Sequence, residues 1–364
     1  MSKHLRLGST GKAKESVTVH SVTSNKEIGQ VMNSVYLRAT TGYVTIRKKQ
    51  KGGKTMSAKY EAYIESEADG LDISVLAVVP DETPYRGILQ LVHGMSEYKE
   101  RYLPFMEYMA KRGYVCVIHD HRGHGKSVRA MDDLGYMYGG GADAILKDIE
   151  VVNREMHQQL PDLPLILFGH SMGSLAVRAF AREHDDCMDM LIICGSPSKN
   201  TARPLGEAIA HMESAVFGPT HKSKVIETLS FAGNVMRFRK DKNCTSWICA
   251  NKAAAQEYSD SELCGFTFTD DGYLALFELM KRAYDVKHWH CTRPKMPVLF
   301  VSGSDDPCMI NVRHFAKAVQ DMRHAGYVDV KGRLYPGMRH EILNETDRKK
   351  VYHDIAFYIK KKGF

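Results

Sequence analysis

From residue 60 onward, short apolar runs alternate with stretches of helical spacing. Tyr60–Ser66 alternates polar and apolar, Asp69-Gly70 turns, and Leu71–Pro80 runs back, which reads as a hairpin. Further strand-like runs follow at Gly87–Val92, Tyr114–Ile118, Leu165–Phe168, Met190–Cys194, Val298–Val301 and Val328–Leu334. Between them the spacing predicts helices over Tyr102–Lys111, stopped by Gly113, and over Ala142–Leu160, stopped by Pro161. In the second, Ile145, Ile149, Val152 and Met156 share one face. Two more helices are expected over Val312–His324 and Asp347–Lys361. Strands that alternate with helices imply an α/β fold around one sheet.

The rhythm breaks between Lys199 and Arg293. Four helices are expected there, near Leu205–Phe217, Lys222–Phe238, Ala253–Ser259 and Gly272–Tyr284, rich in Met, Phe and Tyr. An insertion at a strand's C-terminal end overhangs the ligand crevice of an open α/β sheet. The division expected is therefore a core over 56–198, a helical cap over 199–293 and the rest of the core over 294–364. Residues 1–55 show neither period, apart from a short strand expected at Gly42–Ile46, and read as a disordered extension.

Charge sharpens that division. The chain of 364 residues carries a net +7, but residues 1–55 alone carry +9 and the remainder −2. The basic character belongs to the extension, which suits contact with an anionic membrane surface; no nucleic-acid partner is expected. No apolar run approaches the ~18 residues of a membrane span, and the N-terminus lacks the apolar core of a secretory signal. Eight cysteines are scattered without a Cys-x-x-Cys pair. They read as free thiols of a reducing compartment, which points to the cytoplasm.

The chemistry centres on Gly169-His170-Ser171-Met172-Gly173, placed between a strand and a helix. Such a turn lifts the serine Oγ above the sheet and aims the Met172 N–H at a developing oxyanion. A serine needs a base, and the base needs an orienting carboxylate. Both are expected after later strands, in the order Ser, Asp, His. His340 follows the last strand, whereas His314 and His324 fall inside a helix and His288 and His290 inside the insertion. Asp305 and Asp306 both follow the first strand after the insertion; Pro307 pins the turn directly after Asp306, which favours it without excluding Asp305. The second oxyanion donor is expected after the strand that ends in His93-Gly94, as Met95 N–H.

Four motifs in order carry a resemblance. His93-Gly94-Met95-Ser96-Glu97-Tyr98-Lys99-Glu100-Arg101-Tyr102 resembles the His-Gly-x-x-Glu-x-x-x-Arg-Tyr of monoacylglycerol lipases and lysophospholipase-like α/β-hydrolases of the serine aminopeptidase S33 type. Asp120-His121-Arg122-Gly123-His124-Gly125-Lys126-Ser127 is similar to their Asp-x-x-Gly-His-Gly-x-Ser loop, and 169–173 to their nucleophile turn. Gly303-Ser304-Asp305-Asp306 matches Gly-Ser-x-Asp, which selects Asp306 as the acid. The likeness covers about residues 60–362. Ser174 departs from it, standing where these lipases usually have glycine; the cap resembles theirs only loosely, and residues 1–55 have no counterpart.

The resemblance implies an α/β-hydrolase fold, a mostly parallel central sheet with helices on both faces and an inserted helical cap. It implies a Ser171–Asp306–His340 triad with Met95 and Met172 amides as oxyanion donors, and no metal or cofactor. The implied substrate is a lipid-like ester, a monoacylglycerol or lysophospholipid, with its acyl chain under the cap. Glu97, Arg101, His124 and Ser127 read as structural partners. An aminopeptidase of the proline-iminopeptidase type, or a small-ester esterase, would use the same triad; the aminopeptidase would need cap acids such as Glu257, Asp260 and Glu262 to hold an amine. A binding relative without turnover is the remaining alternative.

Overall fold

A computed structural model describes residues 57–241 and 243–364, together with Arg38, Ala39, Gly42 and Tyr43. All of these belong to one unit, Tyr36–Phe364. A two-residue ladder joins β1 (Arg38–Ala39) to β2 (Gly42–Tyr43). The rest of the strand expected at Gly42–Ile46, and the reading of residues 1–55 as a disordered extension, lie outside the described residues.

The hairpin forms where the alternation predicts it: β3 (Ser57–Glu65) pairs antiparallel with β4 (Asp72–Pro80). Tyr60, Ala62 and Ile64 face inward along β3, while β4 is buried almost throughout. Then come β5 (Gly87–Val92), α1 (Leu103–Ala110), β6 (Tyr114–His119), α2 (Gly141–Gln159), β7 (Leu165–His170), α3 (Met172–His184) and β8 (Met190–Cys194). After the insertion follow β9 (Val298–Gly303), α8 (Val312–His324), β10 (Val330–Tyr335) and α9 (Arg348–Lys361). The eight-stranded sheet has the order β10-β9-β8-β7-β5-β6-β4-β3. All neighbours from β10 to β6 are parallel, and β4 and β3 close the edge antiparallel.

β5 to β9 are buried on both faces, which is why they read as unbroken apolar runs. Phe105, Met106 and Met109 of α1 join Tyr352, Ile355 and Ile359 of α9 over one face. The other face carries α2, α3 and α8, with Phe315 of α8 against Phe300 of β9.

The insertion consists of α4 (Arg203–Phe217), α5 (Lys224–Arg237), α6 (Lys252–Asp260) and α7 (Asp270–Ala283). α7 packs against α2 and α3 of the core as well as against α4. Tyr273, Ala275, Leu279 and Ala283 are its buried face. The same helical period serves a lid or a sheet-covering layer, so sequence alone does not separate them. Among the described residues no helix is long and apolar enough to cross a membrane.

Candidate active site

The C-terminal ends of the parallel strands converge on Ser171. Its backbone sits at φ 51°, ψ −119°, a conformation that non-glycine residues rarely adopt. Two glycines make the turn feasible. A Cβ on Gly169 would lie 2.4 Å from Gly173 O, and one on Gly173 would lie 2.2 Å from Val92 O. The turn is anchored by Ser171 N–H to Cys194 O at 3.0 Å. Ser174 donates its hydroxyl back to Ser171 O at 2.5 Å, which gives a role to the position where glycine was expected.

Three of the five expected residues meet through their side chains. His340 Nε2 lies 2.8 Å from Ser171 Oγ, and His340 Nδ1 lies 3.0 Å from Asp306 Oδ1. Asp306 is fully buried; its carboxylate also accepts from Ser302 Oγ at 2.8 Å and Cys308 N–H at 2.8 Å. Asp305, the competing acid, donates its own N–H to Met338 O and its carboxylate accepts from Ser304 Oγ. Burial pushes Asp306 up, but His340, Ser302 and the Cys308 N–H hold it below its ordinary value. For His340 burial disfavours the imidazolium, while the Cys308 sulphur and the Asp306 carboxylate raise it well above the usual imidazole range. Burial also raises the Cys308 thiol, so it stays protonated at neutral pH and the Asp306 charge is the cause that persists there. A serine so placed can pass its proton to the ring, and the carboxylate stabilises the resulting charge.

The other two expected residues supply backbone. Met172 opens α3, where the first N–H groups have no acceptor within the helix and the helix dipole favours negative charge. Met95 lies beside it: a Cβ on neighbouring Gly94 would lie 3.0 Å from Ser171 Cβ. Gly94 N–H is taken by Glu97 Oε1 at 2.6 Å and Ser96 N–H by His124 Nε2 at 3.2 Å. No hydrogen bond among the described residues uses the Met95 N–H between them.

Two buried networks hold this loop, and the motifs had suggested only their members. In the first, His93 Nε2 accepts from His121 N–H at 2.9 Å, so its proton is on Nδ1, facing Gly94 O at 2.8 Å. Burial keeps His93 and His119 far below the ordinary histidine value, His121 at about 3 and His124 at about 4, so all four are neutral. Beside them Asp120 binds the buried Lys99 Nζ at 2.6 Å and its N–H at 2.8 Å. In the second network Arg101 binds Glu97 and Glu341 together, and Tyr102 OH donates to Glu97 at 2.9 Å.

The insertion docks on the same loop. Ser96, at φ 52°, accepts on its carbonyl from Gly265 N–H and Tyr258 OH, each at 2.9 Å, and donates its hydroxyl to Phe266 O at 2.7 Å. Trp247 stands 5.5 Å from the His340 ring, with Phe231 of α5 stacked behind it at 5.6 Å. Glu257, Asp260 and Glu262 are exposed, and Asp260 accepts from Gln256. A groove of about 1090 Å³ between Pro80, Gly113, Tyr114 and Phe357 lies at the opposite end of the strands and holds none of the residues above.

The sheet order, the strained serine between β7 and α3, and the acid and histidine after β9 and β10 define an α/β-hydrolase. The chain belongs to the serine aminopeptidase S33 family, whose model matches residues 83–347. It is 25% identical over 287 residues to a monoacylglycerol lipase of Mycolicibacterium smegmatis, covering 77% of this chain and 90% of that one. A monoglyceride lipase homolog of monkeypox virus is 22% identical, covering 75% and 89%. Among solved structures, a thermostable carboxyl esterase from Bacillus coagulans superposes with a TM-score of 0.77 at 24% identity, covering 83% of this chain and 98% of that one.

Proposed function

We propose that this carboxylic ester hydrolase cleaves a lipid-like ester, a monoacylglycerol or lysophospholipid, through an acyl-enzyme on Ser171. One observation carries the mechanism: a serine on a strained strand-to-helix turn lies within hydrogen-bond reach of a histidine whose far nitrogen is held by a buried aspartate. Ser171 attacks the ester carbonyl as His340 takes its proton. The amides of Met95 and Met172 stabilise the oxyanion. His340 then protonates the departing alcohol, and water, deprotonated by the same ring, releases the acid and restores Ser171. Asp306 keeps the ring in one tautomer and balances its charge.

The lipid-like substrate is supported by the lipases among the relatives and by the aromatic wall of Trp247 and Phe231 beside His340. In this reading the cap shelters an acyl chain. The exposed positions of Glu257, Asp260 and Glu262 give the aminopeptidase reading no amine pocket. The basic N-terminal extension serves as a peripheral contact to anionic lipid, and the free thiols of the described residues suit a reducing cytoplasm.

Fluorophosphonate labelling and rates on p-nitrophenyl esters from acetate to palmitate test the proposal. Wild type should label, Ser171→Ala should not, and rates should peak at a medium or long acyl chain. Cleavage of acetate alone would overturn the lipid substrate, and absence of labelling would overturn the enzyme mechanism. Salt-sensitive sedimentation with anionic vesicles, lost on deleting residues 1–55, tests the membrane contact.

A further inference from the structure

A second group of ligand-type side chains lies within the insertion. Glu213 comes from the C-terminal half of α4, His221 from the loop between α4 and α5, and Asp270 is the first residue of α7. Their ligand atoms all lie within 4.8 Å of one another. Backbone bonds set this meeting. Asp270 N–H donates to His221 O at 2.8 Å, Asp271 N–H to Pro219 O at 3.2 Å, and Lys222 and Thr269 form a β-bridge. The loop is therefore fixed on the start of α7 independently of the three side chains.

The side chains leave charge unmatched. His221 Nδ1 lies 3.1 Å from Asp270 Oδ2. Asp270 is fully buried, yet no N–H or O–H donor among the described residues reaches its other oxygen, Oδ1, or the buried Glu213 Oε2, and the two carboxyl groups meet each other instead. No lysine or arginine among the described residues pairs with either acid. Burial raises Asp270, His221 lowers it and Glu213 raises it again, with a net upward shift. Neighbouring carboxylates repel one another, and a cation bound between them relieves that repulsion.

We propose that Glu213, His221 and Asp270 bind a divalent transition-metal ion of the zinc class, which fastens α4 and the loop after it to α7. Two carboxylates balance a 2+ charge and outweigh the positive end of the α7 dipole. The imidazole selects against calcium and magnesium, which take shells of oxygen. Three protein ligands suit zinc with water in the fourth position, and the half-buried His221 gives water access. The ion displaces the proton that His221 shares with Asp270 and takes the two carboxyl oxygens that no donor reaches.

The test is calorimetric titration of the chelator-stripped full chain with Zn²⁺, followed by Co²⁺ absorption. One bound equivalent is expected, with a Tm that climbs as the logarithm of free metal. Co²⁺ should give tetrahedral visible bands without a thiolate charge-transfer band. Asp270→Asn and Glu213→Gln should each weaken binding at least about tenfold. Stripped Asp270→Asn should melt at or above wild type, since a like-charge contact is relieved. The variant thus remains folded while losing its response to metal. Failure to bind an equivalent overturns the proposal. So does a thiolate band that survives Asp270→Asn with Glu213→Gln and vanishes in Cys308→Ser, because the ion would then sit beside Asp306 and His340, the other compact ligand group among the described residues.

Discussion

Arg101 and Glu341 form a buried two-pronged ion pair, Nη1 to Oε1 at 2.5 Å and Nη2 to Oε2 at 2.7 Å. Arg101 also holds Glu97, which binds the N–H of Gly94, and Glu341 follows His340 directly. One guanidinium thus ties the loop of the proposed oxyanion donor Met95 to the loop of the proposed base. Tyr258 of α6 lies 4.9 Å from that guanidinium. Removing one partner of a buried pair leaves the other charge out of water without compensation, at about 3–5 kcal/mol. Arg101→Ala should lose stability of that order in urea unfolding.

Glu97 gives that network a pH dependence of its own. Burial lifts its carboxyl from the ordinary 4.5 to about 7, against the pull of Arg101. Between those values the folded chain keeps a proton that the unfolded chain has lost. This group's contribution to stability therefore falls as pH rises through the window. Glu97→Gln should flatten that part of the stability–pH curve, measured by urea unfolding at a series of pH values. Glu341, held below its ordinary value mainly by Arg101 against the effect of burial, acts in the opposite sense and weakens the fold on acidification.

In the proposed mechanism His340 must be neutral to accept the Ser171 proton. Because its value is raised, the acid limb of kcat/KM should have its midpoint above the ordinary imidazole value, with activity rising as pH rises through it. Asp306→Asn removes the carboxylate. It should move that midpoint down and lower kcat on the order of 10⁴-fold, with the fold intact by circular dichroism.

Gly173→Ala should be severe although it adds one methyl group. The new Cβ would lie 2.2 Å from Val92 O and 2.4 Å from His93 O, both rigid backbone at the end of β5. Either α3 or that strand end must move, and overpacking of this kind costs about 1–3 kcal/mol. The shift reaches Met172 and Met95 together. Fluorophosphonate labelling should therefore slow more than the loss of Tm alone accounts for.

Sequence alone determined the α/β alternation, because strands covered on both faces and helices covered on one leave different periods in the apolar residues. It also located Ser171 and its two glycines, since the turn between β7 and α3 leaves room for nothing larger at positions 169 and 173. The order of Ser171, Asp306 and His340 along the chain was legible for the same reason, each following a strand. Tertiary structure alone decided what lies across space. Arg101 meets Glu341 over a separation of 240 residues, and Asp270 meets His221 over 49. It also decided that α7 packs on α2 and α3, which its helical period alone does not specify. Period and spacing act along the chain, whereas charge pairing, burial and the packing partner of a helix face depend on neighbours that only the closed fold supplies.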